Sequence, residues 1–395
     1  MVTKAPVKVL FLVDSIVTAN AGTEGQLLKL LHKLDRKRIV PFLAVFRKSE
    51  YLESISDLCP IRDLEIGRLR TCHTLKQLVG LSSYIRKDQI SIVHIFMNDA
   101  AIVAPLFCKL AGAKVIVSRR DMGFWYTRCT LALLRISKYF VDRVVANSQA
   151  VASLVQVKEG FPKHKTVIIR NGIEWDDVET ASSNIDWRFW GIEEDDPVIA
   201  VVANLYPVKR HKDIIHAFVR VRAKFPTAQV VLVGEGLERM PLQQLTAQLG
   251  LGECIHFLGR RDDVTRILQR ADVCVLSSES EGLSNAIIEY MFSGKPSVCA
   301  RSGGTEELID HGETGFLFNV GDVDALASHV VDLLSDPPLA VRLGRQAKEK
   351  AMAHFRLDHM LDAHIKLYNV LSRQKSIGMV FVWYAFVWHF YVLCY

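Results

Sequence analysis

The sequence predicts an α/β protein of two Rossmann-like domains with mostly parallel, doubly wound sheets. Short runs rich in Val, Ile and Leu alternate with stretches whose apolar residues recur at helical spacing, the pattern of repeated strand and helix units. The alternation breaks once, after the turn dipeptide Asn171-Gly172, at the acidic and aperiodic "IEWDDVETASSNIDWRFWGIEEDDP". The chain, at 395 residues, also exceeds the length at which a single hydrophobic core usually stops growing. These observations place a first domain at 1–180, a second at 181–354, a helix at 355–375 and a hydrophobic tail at 376–395.

"VKVLFLV" at Val7–Val13 is the first strand, and Leu27, Leu30, Leu31 and Leu34 mark the helix after it. Between them, Thr23 followed by Gln26 has the form of a capping box, which starts the helix there. Gly22 and Gly25 remove side chains that would block close approach to its N-terminus, so the turn suits a phosphate or carboxylate, or serves helix entry alone. "VPFLAVF", "ISIVHIF", "AKVIVS", "RVVAN" and "KTVIIR" continue the first series of strands. His94, on an apolar strand, reads as a core histidine rather than a ligand.

The second series runs through "VIAVVANL", "AQVVLVGEG", "CIHFLG", "ADVCVLSS" and "PSVCA" and closes with polar helices to about Phe355. The last twenty residues, "SIGMVFVWYAFVWHFYVLCY", carry no Asp, Glu, Lys or Arg from Ile377 onwards. About 20 apolar residues span a hydrocarbon core as a helix, and Arg373 and Lys375 stand where positive flanks would. The Val and aromatic density suits a hairpin, an interfacial anchor or packing on the protein body as well, and a tail read out of frame would look similar, so the role of the tail stays open.

Half of the residues are apolar and 23% are charged, ordinary globular usage. The net charge is +6, with Lys and Arg scattered among acidic residues and no interleaved basic and aromatic motif. That pattern reads as a solvated surface and argues against nucleic acid, while a basic patch facing anionic lipid stays open. Eight cysteines show no C-x-x-C pair or His-flanked cluster, which points to reduced core thiols in a cytoplasmic protein and to no metal site. The N-terminal apolar stretch is too short for a good signal peptide.

Two segments carry candidate chemistry. "VANLYPVKRHKDII" places Lys209, Arg210, His211 and Lys212 at the end of a strand, where cations neutralise a diphosphate or form a solvated helix entry. "ESEGLSNAIIE" places Glu281 and Glu289, with seven residues between them, after the buried run "ADVCVLSS". With Ser284 or Asn285 as helix cap, the N–H groups of Gly282, Leu283 and Ser284 are available to a ligand, and Glu289 stands about a turn later, where it can reach a ribose diol. The alternative makes Glu281 a helix-dipole partner and Glu289 a solvent-facing residue.

"SSESEGLSNAIIEYMFSGKPSVCARSGGTEELIDHGETGFLF" resembles the donor-site signature of retaining glycosyltransferases of family 4. "VANLYPVKRHKDII", "LVGEG" and "FLGRRDDV" are similar to other segments of that family's second domain, and "VSRRDMG", "VVANS" and "IIRNGI" to its first. The match runs in order over roughly residues 7–372, and several concordant motifs make it specific. It implies a GT-B fold, two Rossmann-like domains facing a cleft with a final helix, here "LDHMLDAHIKLYNVL", crossing back to the first.

The resemblance also implies metal-independent transfer of a sugar, with retention, from a UDP-, GDP- or ADP-linked donor to a hydroxyl on a glycan, lipid-linked or other acceptor. Polysaccharide or glycolipid biosynthesis is the setting it suggests, in the cytoplasm or at the inner face of the membrane with peripheral contact. Carried over by position, Lys209 stabilises the leaving diphosphate, Glu281 binds the donor sugar, Glu289 the ribose, and the Gly282, Leu283 and Ser284 backbone surrounds the donor, with Gly22 near its phosphates. The chain departs from the family at Asn204, where an Arg is usual, so that a second phosphate cation is either missing or supplied by Arg210. "SRRDMG" stands where a His is usual, which makes Arg119, Arg120 and Asp121 candidates for an acceptor or sugar pocket. The alternatives are a nucleotide-sugar epimerase of the same fold and a non-catalytic, membrane-tethered binder of sugar nucleotides.

Overall fold

The computed structural model describes residues 5–18, 22–55, 58–174 and 185–374. Ala19–Ala21, residues 175–184 of the acidic stretch, and the tail at 376–395 with Cys394 lie outside the described residues. The chain forms two compact units: residues up to Gly172 together with those from Asp358 onwards, and Ile173–Leu357.

The first unit is built on β1 (Val7–Val13), β2 (Ile39–Val45), β3 (Ile61–Asp63), β4 (Ile92–Ile95), β5 (Lys114–Arg119), β6 (Arg143–Ala146) and β7 (Thr166–Ile168). They pair in parallel in the order β3-β2-β1-β4-β5-β6-β7. Helices cover both faces of such a sheet, so its central strands are apolar throughout, as "VKVLFLV" is. Phe11, Leu12, Val93 and Val115 are fully buried. The edge strand β3, "IRD", was not anticipated, because three half-exposed residues carry no apolar run.

The second unit contains β8 (Val198–Val202), β9 (Gln229–Val233), β10 (Ile255–Gly259), β11 (Val273–Leu276), β12 (Ser297–Ala300) and β13 (Phe316–Phe318). Its parallel order is β10-β9-β8-β11-β12-β13. Strand order therefore reverses between β1 and β4 in one sheet and between β8 and β11 in the other. Beyond the carboxyl ends of strands at such reversals, open α/β sheets bind their ligands.

The last helix, Leu357–Arg373, returns to the first unit from Asp358 onwards. Its Tyr368 is fully buried, and the Tyr368 hydroxyl lies 2.7 Å from His94 Nδ1, while His94 Nε2 lies 2.9 Å from Ser118 Oγ. His94 is thus a core histidine that fastens β4, β5 and the returning helix together. The seven described cysteines are free thiols; Cys108, Cys254, Cys274 and Cys299 are buried, whereas Cys72 and Cys129 are exposed. No helix among the described residues is long and apolar enough to cross a membrane.

Candidate functional site

In the second unit, the loops after β8 and β11 meet at the reversal of strand order. Leu205 anchors the first loop by full burial, and the backbone lies against the loop after β9: Leu205 N donates to Glu235 O at 2.9 Å and Glu238 N to Leu205 O at 2.9 Å. That approach needs glycine. A Cβ on Gly234 would stand 2.2 Å from Ala203 O, and one on Gly236 would stand 2.3 Å from Leu205 O. Asn204 is exposed on this loop.

The loop continues through the short turn Pro207–Lys209 and is tied to the loop after β11 by Glu279 N donating to Val208 O at 2.8 Å. The Ser277 hydroxyl makes contacts of 2.8 and 3.0 Å with the carbonyls of Lys209 and Arg210. Gly304 N, donating to Glu281 O at 3.0 Å, holds the second loop from the β12 side. This framework sets Lys209 Nζ 2.5 Å from Glu281 Oε1. Lys209 keeps 23% of its side chain exposed and Glu281 10%, so the pair faces solvent only in part.

Ser284 is the N-cap of the helix Asn285–Phe292, its hydroxyl accepting from Ile287 N. Gly282, Leu283 and Ser284 are buried, and Glu289 is half-buried in the second turn. Helix geometry leaves the first N–H groups without intrahelical partners. Tyr290, fully buried, ties this helix to both central strands: Val202 N donates to its hydroxyl at 2.8 Å, and the hydroxyl donates to Val275 O at 3.3 Å.

Arg210 adopts a left-handed conformation with φ 51° at the start of the helix His211–Lys224. Its guanidinium forks onto Asp213 at 2.6 and 3.2 Å, hydrogen bonds that raise its pKa. His211, buried beside it, is held down to about 4 by burial and by the charge of Lys209, and stays neutral. The loop therefore presents Lys209 as a cation beside Glu281, while Arg210 is occupied by the first turn of its own helix.

The remaining candidates belong to the first unit. Gly22 is exposed at the first position of the helix Gly22–Lys33, so Thr23 lies inside the helix and does not cap it, and the expected capping box is not formed. The Glu24 carboxylate accepts from Val17 N and Thr18 N at 2.7 and 2.8 Å, and the Gln26 amide exchanges two hydrogen bonds with Gly172.

At the end of β5, Arg119 is buried and forks onto Glu159 at 2.7 and 2.9 Å, with the Tyr126 hydroxyl on the same carboxylate. Asp121 accepts from Gly123 N at 2.7 Å and Trp125 Nε1 at 3.1 Å, folding its own loop. Arg120 differs from both: its guanidinium meets the neutral Asn171 Oδ1 at 2.5 Å, no carboxylate among the described residues pairs with it, and burial lowers its pKa to about 10.

Sequence reasoning did not single out Asp14, Ser277, Tyr290, Gly234 or Gly236. Asp14, just past β1, accepts from Asp99 N and Ala100 N at 3.0 and 2.8 Å and so caps the helix Asn98–Leu110 from another segment. Burial raises its pKa to about 6. Only the two glycines carried a signal, the "VGEG" run after an apolar strand. No cluster of three or more His, Cys, Asp or Glu that could hold a metal occurs among the described residues.

Residues 183–350 match the family model described as Glycosyl transferases group 1, and residues 22–177 match Glycosyltransferase Family 4. A Bacillus anthracis protein named N-acetyl-alpha-D-glucosaminyl L-malate synthase is 30% identical over 216 residues, 52% of this chain and 56% of its own. The Escherichia coli UDP-Gal:alpha-D-GlcNAc-diphosphoundecaprenol alpha-1,3-galactosyltransferase is 23% identical over 310 residues, 74% of this chain and 80% of its own. The chain spans about half the length of the first curated relatives it matches. The crystal structure of Anabaena Alr3699/HepE in complex with UDP superimposes with a TM-score of 0.81 at 21% identity, over 92% of this chain and 100% of that one, a likeness of fold.

Proposed function

The chain belongs to the glycosyltransferases, joining a Glycosyltransferase Family 4 domain to a group 1 domain, and from that premise we propose that it transfers a sugar from a nucleotide-diphospho-sugar to an acceptor hydroxyl with retention. The Lys209–Glu281 pair at the strand-order reversal of the second unit carries the reading, because that is where this sheet type binds ligands. UDP is the first nucleotide to test, since a relative's name includes UDP-Gal and HepE was crystallised with UDP.

In this reading the bond from the sugar C1 to the diphosphate oxygen breaks and its electron pair stays with the diphosphate. The acceptor oxygen bonds to C1 on the same face, and its proton passes to the departing phosphate. Lys209 turns from Glu281 to the growing negative charge, a preorganised cation where charge develops. Glu281 holds the donor sugar and Glu289 the ribose diol. The Gly282, Leu283 and Ser284 backbone surrounds the donor, Asn204 and Gly22 lie near the phosphates, and Arg210 shapes the loop that carries Lys209. Arg120 and Asp121 serve the acceptor side. A glycan or lipid-linked acceptor at the cytoplasmic face of a membrane fits relatives whose names carry such substrates.

The test is a donor panel. The protein is incubated with UDP-, GDP- and ADP-sugars, with binding followed by saturation-transfer NMR and turnover by nucleotide release. Selective binding of one donor with release of its nucleotide in the presence of an acceptor supports transfer. A changed sugar still attached to its nucleotide would instead show epimerisation, and folded protein that binds no donor would overturn the proposal.

A further inference from the structure

Ahead of β8, the turn Trp187–Trp190 reads "WRFW". Trp187 and Trp190 rest half-buried on the apolar core that includes Ile267 and Leu268 of the helix Val264–Arg270, whereas Phe189 stands in solvent at 80% exposure, its ring edge-on to that of Trp190 with centroids 5.3 Å apart. The turn is firmly held. Gly191 ends it in the left-handed region with φ 70°, Ile192 N donates to Trp187 O at 3.2 Å, and the Arg270 guanidinium donates to the carbonyls of Glu193, Glu194 and Asp196 at 3.0, 2.8 and 2.7 Å.

Phe189 and Trp190 form one wall of a cavity of about 300 Å³, and Arg261, Asp263 and Arg266, from the loop after β10 and the helix that follows it, form the other, with Asp186 at the start of the turn. Arg261 forks onto Asp263 at 2.8 and 2.7 Å, and its guanidinium lies 5.9 Å from the centre of the Trp190 ring. The fork fixes two planar polar groups beside the aromatic wall. Its hydrogen bonds hold the Asp263 carboxyl below the usual carboxylate range, so Asp263 stays an ionised acceptor.

Two carboxylates and two guanidiniums line this cavity, so their charges cancel. An anionic ligand would face Asp186 and Asp263, a cationic one would face Arg261 and Arg266, and an apolar segment would strip water from all four. A neutral ring rich in hydroxyls meets each wall on its own terms: the C–H face lies on an aromatic ring, while the hydroxyls donate to carboxylates and accept from guanidiniums. We propose that this cavity is a carbohydrate-binding site that takes pyranose rings of a neutral glycan. β10 is the edge strand, two places from β8 in the sheet, and neither Lys209 nor Glu281 lines the cavity. The inference is independent of the donor-site reading, because its readout is glycan binding with no donor present.

The experiment is titration of the full chain with maltopentaose, mannopentaose and chitopentaose in the absence of nucleotide, followed by saturation-transfer NMR and tryptophan fluorescence. At least one pentasaccharide should bind, with little dependence on salt because the ligand is uncharged. Phe189→Ala should weaken that binding severalfold to about tenfold, the scale of one aromatic contact, and Phe189→Tyr should restore it. Asp263→Asn should weaken it severalfold. Phe124→Ala removes an equally exposed ring from the first unit and should leave binding near native. Donor binding by Phe189→Ala should match the native protein, so that failure of either reading is visible without the other. Thermal melts establish that each variant is folded. Folded native protein that binds none of the three, binding undiminished in Phe189→Ala, or equal losses from Phe189→Ala and Phe124→Ala would each overturn the proposal.

Discussion

Lys209 Nζ and Glu281 Oε1 stand 2.5 Å apart although 72 positions separate the two residues in the chain. Backbone stitching at Val208 and Glu279, with Ser277 on the carbonyls of Lys209 and Arg210, places them there and leaves both free to act on a ligand. Lys209→Ala leaves the buried Glu281 carboxylate without its cation, so it should cost about 1–3 kcal/mol of stability. The folded variant should lose about 100-fold or more in kcat, the scale of removing a group aimed at developing charge. Nucleotide-release kinetics beside a thermal melt checks this. Undiminished turnover, or a loss seen wholly in donor affinity, would remove Lys209 from the proposed role.

Glu289 should separate from Lys209 in kind. A carboxylate that binds a ribose diol acts in the ground state and the transition state alike, so its loss appears in donor affinity rather than in kcat at saturation. Glu289→Ala should weaken donor binding about tenfold or more, the worth of a hydrogen bond to a charged group. Titration calorimetry with the donor chosen by the panel measures it. An unchanged dissociation constant would place Glu289 outside the donor site.

Gly236 tests the framework rather than the chemistry. Its missing Cβ lets the loop after β9 lie on Leu205, where a methyl would stand 2.3 Å from the Leu205 carbonyl oxygen and 2.9 Å from its nitrogen. Backbone cannot step aside as a side chain can, so Gly236→Ala should cost about 1–3 kcal/mol. Because the loop after β8 that carries Leu205 leads on to Lys209, donor affinity should fall with stability. A variant that melts as the native protein does would show that the two loops tolerate separation.

The fold was legible where periodicity is strong and the site only where side chains carry charge. β1 falls on Val7–Val13 as read, and the other buried strands differ from their apolar runs by a few residues at the ends. The edge strands β3 and β13 were missed, because each is only three residues long, too short for a periodic signal, and β3 is half-exposed besides. Lys209 and Glu281 stood out as charges at strand ends, but the arrangement of their loops rests on Ser277 and Tyr290, a hydroxyl and a ring inside apolar runs whose partners are distant in sequence. Asp14 was hidden likewise: a cap for a helix more than eighty residues away has no local pattern.

Acid should destabilise the first unit through two buried histidines. Burial lowers the pKa of His94 well below its ordinary value and that of His364 to about 4, so both are neutral when folded. The unfolded chain takes up protons near pH 6.5, and stability that is full above that pH is lost as pH falls toward 4. His364 alone accounts for about 3 kcal/mol of this loss. Asp14 has the opposite sign: its raised pKa adds stability as pH falls through about 6 toward 3.8. With two histidines against one carboxylate, the melting temperature should fall between pH 7 and pH 4.5. His364→Leu should flatten the profile at little cost near neutrality, since His364 Nε2 is buried without a hydrogen-bond partner among the described residues. Asp14→Asn should steepen it. Melting curves across that range decide the matter, and a profile unmoved by His364→Leu would refute the assignment.

Arg119 and Arg120 are neighbours with opposite expectations. Arg119 is buried against Glu159, and removing one partner of a buried pair leaves an uncompensated charge, so Arg119→Met should destabilise by about 3–5 kcal/mol. Arg120 meets the amide of Asn171, no carboxylate among the described residues pairs with it, and desolvation of its guanidinium pulls its pKa to about 10. Arg120→Met should therefore melt within about 1 kcal/mol of native or above it, because a half-buried charge with no carboxylate partner among the described residues is replaced by an apolar group of similar length. On the proposed reading, this cation just past β5, with no carboxylate partner among the described residues, serves a ligand on the acceptor side. Arg120→Met should accordingly raise the acceptor KM and leave donor binding near native. Kinetics with the acceptor varied at saturating donor separate the two. A large drop in melting temperature with an unchanged acceptor KM would make Arg120 a structural residue like its neighbour.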